Sequence, residues 1–426
     1  MLQLVNVGHK SLTDYATIAS RGLMEEIRRL AEPLRGKRVV HLSATAFGGG
    51  VAEINYSLIP LKRDAGLDVE WRIIRGEDEF FDVTKTIHNA LQGSPQGLTP
   101  EQEEVFRRYS ELNAAEFEDE YDYVVIHDPQ PVALVTRFPN SRAPWIWRCH
   151  IDLSTPNEDV LAFLAPSLAE YDATIFHRQA YVPAIDGLPP AYIWPPAIDP
   201  LNPKNMALSR EDASYIVDQF GIDVGRPLLT QVSRFDPWKD PLGVIDAYRE
   251  VKQAYPDLQL ALVGSMAHDD PEGWEYYNQT VAYAANDPNI YILSNLNNVG
   301  SVEVNAFQVH SDAVLQKSVR EGFGLTVTEG LWKARPTVAG RAGGIVDQIE
   351  DGVTGWLVDS PSECAQACRE ILDDPEAARL RGLRAKEVVR RRFLTPRLLR
   401  DWLALFNRLD GNDIGETELL VAGSAT

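Results

Sequence analysis

Short runs of apolar, β-favouring residues recur between amphipathic segments along this chain, the pattern of parallel strands joined by helices. A first set occupies residues 39–43, 69–74, 123–127, 145–150, 173–176 and 191–194, and a second set 228–232, 258–263, 290–293, 313–316, 336–339 and 355–358. Between the sets lies the proline-rich stretch 195–203. Proline lacks an N–H and has a fixed φ, so this stretch cannot continue a helix or a central strand and reads as a hinge. The pattern predicts an α/β protein of two doubly wound, Rossmann-like domains, 1–198 and 199–390, with a cleft between them. Residues 1–38 form an N-terminal extension with an amphipathic helix around 15–34. Residues 391–409 read as a terminal helix packing back on the N-terminal domain, and 410–426 as a flexible tail.

A chain of 426 residues is too long for one core and suits two or three domains. Its formal charge of -21 argues against a nucleic-acid partner, which needs a basic face to displace counterions. An anionic substrate must therefore meet a local cluster of cations and amides. No stretch approaches the ~20 apolar residues that span a membrane, and the N-terminus lacks a basic region followed by a long apolar run. The three cysteines are too few for a disulfide scaffold and fit a reducing cytoplasm. Cys364 and Cys368, one helical turn apart with no histidine nearby, read as a packing face, so no metal site is expected.

The chemistry collects on loops that follow the expected strands. Arg320-Glu321-Gly322-Phe323-Gly324-Leu325, with Glu329 beyond it, sets two carboxylates around a loop that opens a helix. Gly322 and Gly324 let a ligand approach the backbone, and the amides from Phe323 through Leu325 attract anions. Glu321 before the helix and Glu329 about two turns into it suit the sugar and the ribose ends of a nucleotide sugar. Ser233-Arg234-Phe235-Asp236-Pro237-Trp238-Lys239-Asp240 follows the first strand of the second domain, where Arg234 and Lys239 offer a fork and a point charge to a diphosphate. Gly48-Gly49-Gly50 follows the first strand of the first domain and opens a helix, but Glu53 stands where a dinucleotide fingerprint needs its last glycine. His150 and Asp152 end the fourth strand of that domain, His127 to Pro131 end the third, and Gly264 ends a strand of the second domain.

Taken in order, these residues resemble the retaining glycosyltransferases of family 4, the glycogen-synthase and sucrose-synthase type, whose fold is GT-B with two facing Rossmann-like domains. The Glu321 to Glu329 element and the Arg234 and Lys239 pair carry the resemblance most specifically. In the N-terminal half Gly48 to Glu53, His88 to Gly93, His127 to Pro131 and Trp147 to Asp152 are similar to trehalose glycosyltransferring synthases and their phosphorylase relatives. The resemblance implies that Arg234 and Lys239 hold the donor diphosphate, that Glu321 bonds sugar hydroxyls, that Gly322 to Leu325 supply amides, and that Glu329 holds the ribose diol. It places His150 against the donor glucose and Asp152, Gln130 and His88 on the acceptor side. Two departures stand out: the family often has glycine where this chain has Ser233 and Asp240, and Asp240 adds negative charge beside the expected diphosphate.

No carboxylate pair of the kind retaining hydrolases use is evident. The resemblance implies front-face attack, in which the departing phosphate takes the acceptor's proton. The expected activity is glucose transfer from ADP- or UDP-glucose to free glucose, giving trehalose with retention. No cofactor is required for that chemistry, with Mg2+ left as a stimulator and room left for a homodimer. The competing readings are a trehalose phosphorylase using inorganic phosphate, another family 4 hexosyltransferase, a sugar-nucleotide epimerase, and a nucleotide-sugar sensor without catalysis.

Overall fold

The computed structural model describes residues 1–266 and 271–423. It divides into two compact units, Met1–Pro196 together with the segment from Thr395 onward, and Ala197–Leu394.

The first unit holds β1 (Gln3–Leu4), β2 (Arg38–Ser43), β3 (Asp68–Ile73), β4 (Tyr123–His127), β5 (Trp145–Arg148), β6 (Ala173–Phe176) and β7 (Ala191–Ile193) in the order β1-β3-β2-β4-β5-β6-β7. Every pairing is parallel except that of β1, which runs antiparallel to β3 on the edge. The second unit holds β8 (Leu228–Val232), β9 (Gln259–Gly264), β10 (Ile290–Ser294), β11 (Ala313–Gln316), β12 (Thr337–Gly340) and β13 (Trp356–Val358), all parallel, in the order β10-β9-β8-β11-β12-β13. Parallel strands are covered by helices on both faces and so read as continuous apolar runs. For that reason the twelve expected runs all appear as strands, whereas β1, two residues long, has no such signal.

Each sheet has one switch point. The chain goes from β2 to β3 on one side and then crosses to β4 on the other, and it goes from β8 through β9 to β10 before returning to β11. The connections after β2 and β4, and after β8 and β11, therefore run to opposite sides of their sheets, while the loops themselves start from neighbouring strand ends at the carboxyl edge.

The helix Thr395–Leu409 belongs to the first unit. Its Phe406 ring stacks on Tyr123 with centroids 4.3 Å apart, and Asn407 Nδ2 donates to the Leu30 carbonyl at 2.7 Å. The tail expected to be flexible from 410 is instead tied to this unit: Ile193 N donates to the Leu420 carbonyl at 2.8 Å and Ala422 N to the Ala191 carbonyl at 2.7 Å. The edge strand β7 has an unpaired side, and the tail satisfies it. Among the described residues no helix is long and apolar enough to cross a membrane, and no group of three or more His, Cys, Asp or Glu is placed to hold a metal ion.

Asp128, just past β4, sits at φ 63° and accepts the His150 backbone N–H at 2.8 Å. Burial pushes its carboxyl up to about 7 from the usual 3.8, against the opposing pull of that amide and of Arg148. An acid whose folded value is raised stabilises the fold fully below its unfolded value and loses that contribution as pH rises through the folded one. Asp128→Asn, which tolerates the left-handed backbone and keeps the acceptor, is expected to shrink the drop in Tm between pH 5 and pH 8, measured by thermal unfolding; an undiminished drop would refute the assignment. Gly340 is expected to be equally sensitive for a steric reason, since an added Cβ would lie 1.9 Å from the Ser318 carbonyl oxygen. Gly340→Ala should lower stability by about 1–3 kcal/mol in urea titration.

Candidate functional site

β8 and β11 are hydrogen-bonded neighbours, so the loops that follow them leave the second sheet side by side although they are far apart in sequence. Gln231 stitches them: its Nε2 donates to the Lys239 carbonyl at 3.0 Å and its Oε1 accepts the Lys317 N–H at 3.3 Å. Val319 N donates to the Trp238 carbonyl at 2.8 Å. This brings the two motifs together, with Lys239 Nζ 2.7 Å from Glu321 Oε2 and Ser318 Oγ donating to the same oxygen at 3.2 Å. Asp236 caps the short turn Pro237–Lys239 by accepting the N–H of Trp238 at 2.8 Å and of Lys239 at 3.2 Å. Arg234 lies 3.4 Å from Asp236 but its side chain is 65% exposed. One cation is thus held in place and the other projects.

Asp240 is answered locally. It stands at φ 47°, accepts the Gly243 N–H at 3.0 Å to cap the helix Pro241–Lys252, and pairs with the buried Lys317 ammonium. The residue that departs from the family pattern therefore brings its own counter-charge and serves as a helix cap.

Gly324 takes φ 86° at the N-cap of the eight-residue helix Leu325–Trp332. The loop before it is fixed from behind, since Gly344 N donates to the Gly322 carbonyl at 3.1 Å and Gln348 Nε2 to the Phe323 carbonyl at 2.6 Å. Phe323 itself is buried, its ring centroid 5.7 Å from that of Phe393. Because the helix begins at Leu325, Glu329 lies one turn into it and not two. Its carboxylate is fully buried, 2.9 Å from Lys204 Nζ and 3.0 Å from Gln308 Nε2. Lys204 and Gln308 thus occupy the carboxylate expected to hold a ribose diol, and a diol there would have to displace one of them. Gly264 has a packing reason, since an added Cβ would meet the Phe235 ring at 2.3 Å and the Ser233 carbonyl oxygen at 2.9 Å.

In the first unit Gly48 and Gly49 take φ 69° and 72°, a left-handed turn into the helix Gly49–Asp64, whose first turn contains Gly50. His150, just past β5, has its Nε2 2.9 Å from His127 Nδ1. His127 Nε2 lies 2.8 Å from His41 Nδ1, and His41 Nε2 2.9 Å from Lys62 Nζ. Burial, and then the nearby cations, hold the imidazoles neutral: His127 is pulled down to about 3, and His41 and His150 well below the usual 6.5. The Asn55 amide, buried and without a hydrogen-bond partner among the described residues, lines a cavity of about 10 Å³ with His127, Arg148, His150 and Trp402.

The three acceptor-side candidates sit on different elements. Asp152, after β5, is buried and accepts the Ser154 N–H at 2.8 Å, closing its own turn. Gln130, after β4, borders another small cavity with Phe80 and Asn113. His88 is on the helix Asp78–Leu91 with its Nδ1 3.0 Å from Gln92 Nε2. Sequence reasoning missed Lys62, His41, Asn55, Lys204 and Gln308. Lys62 left a trace, a lysine closing the otherwise apolar run Leu58-Ile59-Pro60-Leu61.

Residues 41–183 match the family described as trehalose synthase, N-terminal domain, and residues 214–388 match glycosyl transferases group 1. The chain is 59% identical over 417 residues to a trehalose synthase of Rubrobacter xylanophilus, covering 96% of this chain and 100% of that one. It is 46% identical over 407 residues to a trehalose synthase of Pyrococcus horikoshii, covering 95% and 98%. Among solved structures, the α,α-trehalose-phosphate synthase (UDP-forming) of Burkholderia xenovorans in complex with glucose-6-phosphate matches with a TM-score of 0.70 over 87% of this chain and 100% of that one. At 14% identity that likeness shows the fold alone, which is GT-B. The matches along nearly the whole chain, with the paired motifs at the β8 and β11 edge, establish that this protein belongs to the trehalose synthase family of glycosyltransferases.

Proposed function

We propose that the protein transfers glucose from a nucleoside-diphosphate glucose, ADP- or UDP-glucose, to free glucose with retention at the anomeric carbon, forming trehalose. The observation that carries this reading is the contact of Lys239 with Glu321 beside the helix Leu325–Trp332. It sets a cation for a diphosphate, a carboxylate for sugar hydroxyls and a positively polarised helix end within one short stretch of surface. The Rubrobacter xylanophilus and Pyrococcus horikoshii relatives are named trehalose synthases, which supports trehalose as the product.

In this reading Arg234 and Lys239 stabilise the negative charge that grows on the leaving diphosphate, and the amides of Gly322 to Leu325 add to that field. Glu321 orients the transferred sugar, while the departing phosphate takes the proton of the acceptor hydroxyl on the same face. Rate then comes from position and electrostatics and not from a protein nucleophile. The ribose diol displaces Lys204 from Glu329. No metal enters the chemistry, and Mg2+ acts only as a stimulator.

Purified protein given glucose with ADP- or UDP-glucose should yield the α,α-1,1 disaccharide by NMR, and most of that activity should survive EDTA. No product from either donor would refute the proposal, and phosphate-dependent release of glucose 1-phosphate from trehalose would replace it with a phosphorylase. Arg234→Met is a clean probe because the side chain projects from the fold. We expect Tm within about 1 °C of the parent, as for a surface substitution, with kcat lowered on the order of 10²-fold, as for one lost transition-state donor. Steady-state kinetics beside thermal unfolding would check both.

A further inference from the structure

A chain of hydrogen bonds runs through the interior of the first unit and ends on His150, the residue that the family resemblance sets against the donor glucose. Lys62 Nζ, His41, His127 and His150 are linked by contacts of 2.9, 2.8 and 2.9 Å. The rings stack in succession, with centroids 5.1 and 5.2 Å apart and planes 24° and 25° from parallel. Lys62 and His41 are wholly buried and His127 is 2% exposed.

Such a chain has a direction. An ammonium can only donate, and a neutral imidazole has one N–H and one acceptor nitrogen. With Lys62 as ammonium, His41 Nε2 must accept, so His41 carries its proton on Nδ1 and gives it to His127 Nε2. His127 then carries its proton on Nδ1 and gives it to His150 Nε2. Only one arrangement satisfies all three contacts, and it leaves His150 with its proton on Nδ1. With Lys62 as a neutral amine the reverse order also becomes allowed, and His150 spends its proton on His127. Burial pulls the Lys62 pKa well below the usual 10.5, but two aromatic faces oppose that loss of charge: Nζ lies 4.0 Å from the centroid of the Trp402 ring and 4.9 Å from that of Phe406, and aromatic faces attract a desolvated cation, which favours the ammonium.

We propose that Lys62, His41 and His127 are positioning residues that hold His150 in its Nδ1–H tautomer, so that His150 offers a hydrogen-bond donor to a hydroxyl of the donor sugar. The identity of that ligand rests on the functional reading above, whereas the tautomer does not.

Nitrogen-15 NMR of the histidine-labelled full-length protein reads which nitrogen of each ring carries the proton. His41, His127 and His150 should all be protonated on Nδ1. In Lys62→Met, His150 should lose its single tautomer and kcat should fall about tenfold, the worth of one hydrogen bond, with KM for the nucleotide sugar little changed. His127→Phe should give the same split, and His127→Gln, which again has an acceptor and a donor, should recover part of kcat. Wild-type His150 protonated on Nε2 would overturn the proposal, as would a Lys62→Met protein with unchanged His150 signals and kcat. If Lys62→Met does not fold, the two His127 variants decide: equal kcat in both overturns the proposal, and partial recovery by glutamine supports it. A wild-type protein that makes no trehalose fails the functional reading, while the tautomer is still read directly from the spectrum.

Discussion

A parallel sheet delivers every loop that follows a strand to the same edge, so motifs that follow neighbouring strands meet there however far apart they lie in sequence. The rest of this protein depends on that constraint. Adjacency of β8 and β11 turns two motifs 82 residues apart into one cluster, with Lys239 2.7 Å from Glu321. Adjacency of β2 and β4, and of β4 and β5, does the same in the first unit, where His41, His127 and His150 come from three consecutive positions in the sheet.

Charge is rationed accordingly. In a chain of net charge -21, three lysines near the candidate site are tied to carboxylates: Lys239 to Glu321, Lys317 to Asp240, Lys204 to Glu329. Leaving one partner of a buried pair alone is costly, so these pairs hold side chains in place before any ligand arrives. Arg234, exposed at the edge of the same loop and 3.4 Å from Asp236, is held less closely. The pairs also explain how Asp240 can stand beside the Lys239 and Glu321 cluster, because its charge is spent on Lys317 and on the helix cap.

The first unit uses buried polar groups in another way. Histidines inside a parallel sheet are expensive unless each nitrogen is satisfied, and a fully connected chain is worth more than its separate links. Lys62 supplies the start of that chain, and the terminal helix covers it with Trp402 and Phe406. The helix Thr395–Leu409 therefore shapes the surroundings of His150 although it lies at the other end of the sequence.

Twelve of the strands, the proline-rich division, and the Arg234, Lys239 and Glu321 motifs are legible in the chain because each is a local pattern: an apolar run, a backbone without N–H, a loop after a strand. β1 was too short to carry such a pattern, and the tail could not be seen to pair because its partner is the backbone of β7. The closure of Glu329 by Lys204 and Gln308 and the linkage of Lys62 to His150 were invisible for a related reason. Side-chain periodicity records which way a residue faces but not what it meets, and what it meets is set by which strands become neighbours. The sequence by itself determined two wound α/β units, the family and the strand-end loops where the candidate residues lie; only the tertiary structure decided which charges are paired, which carboxylate is closed, and which nitrogen of a buried imidazole faces its neighbour, because those depend on contacts across the order of strands in the sheet.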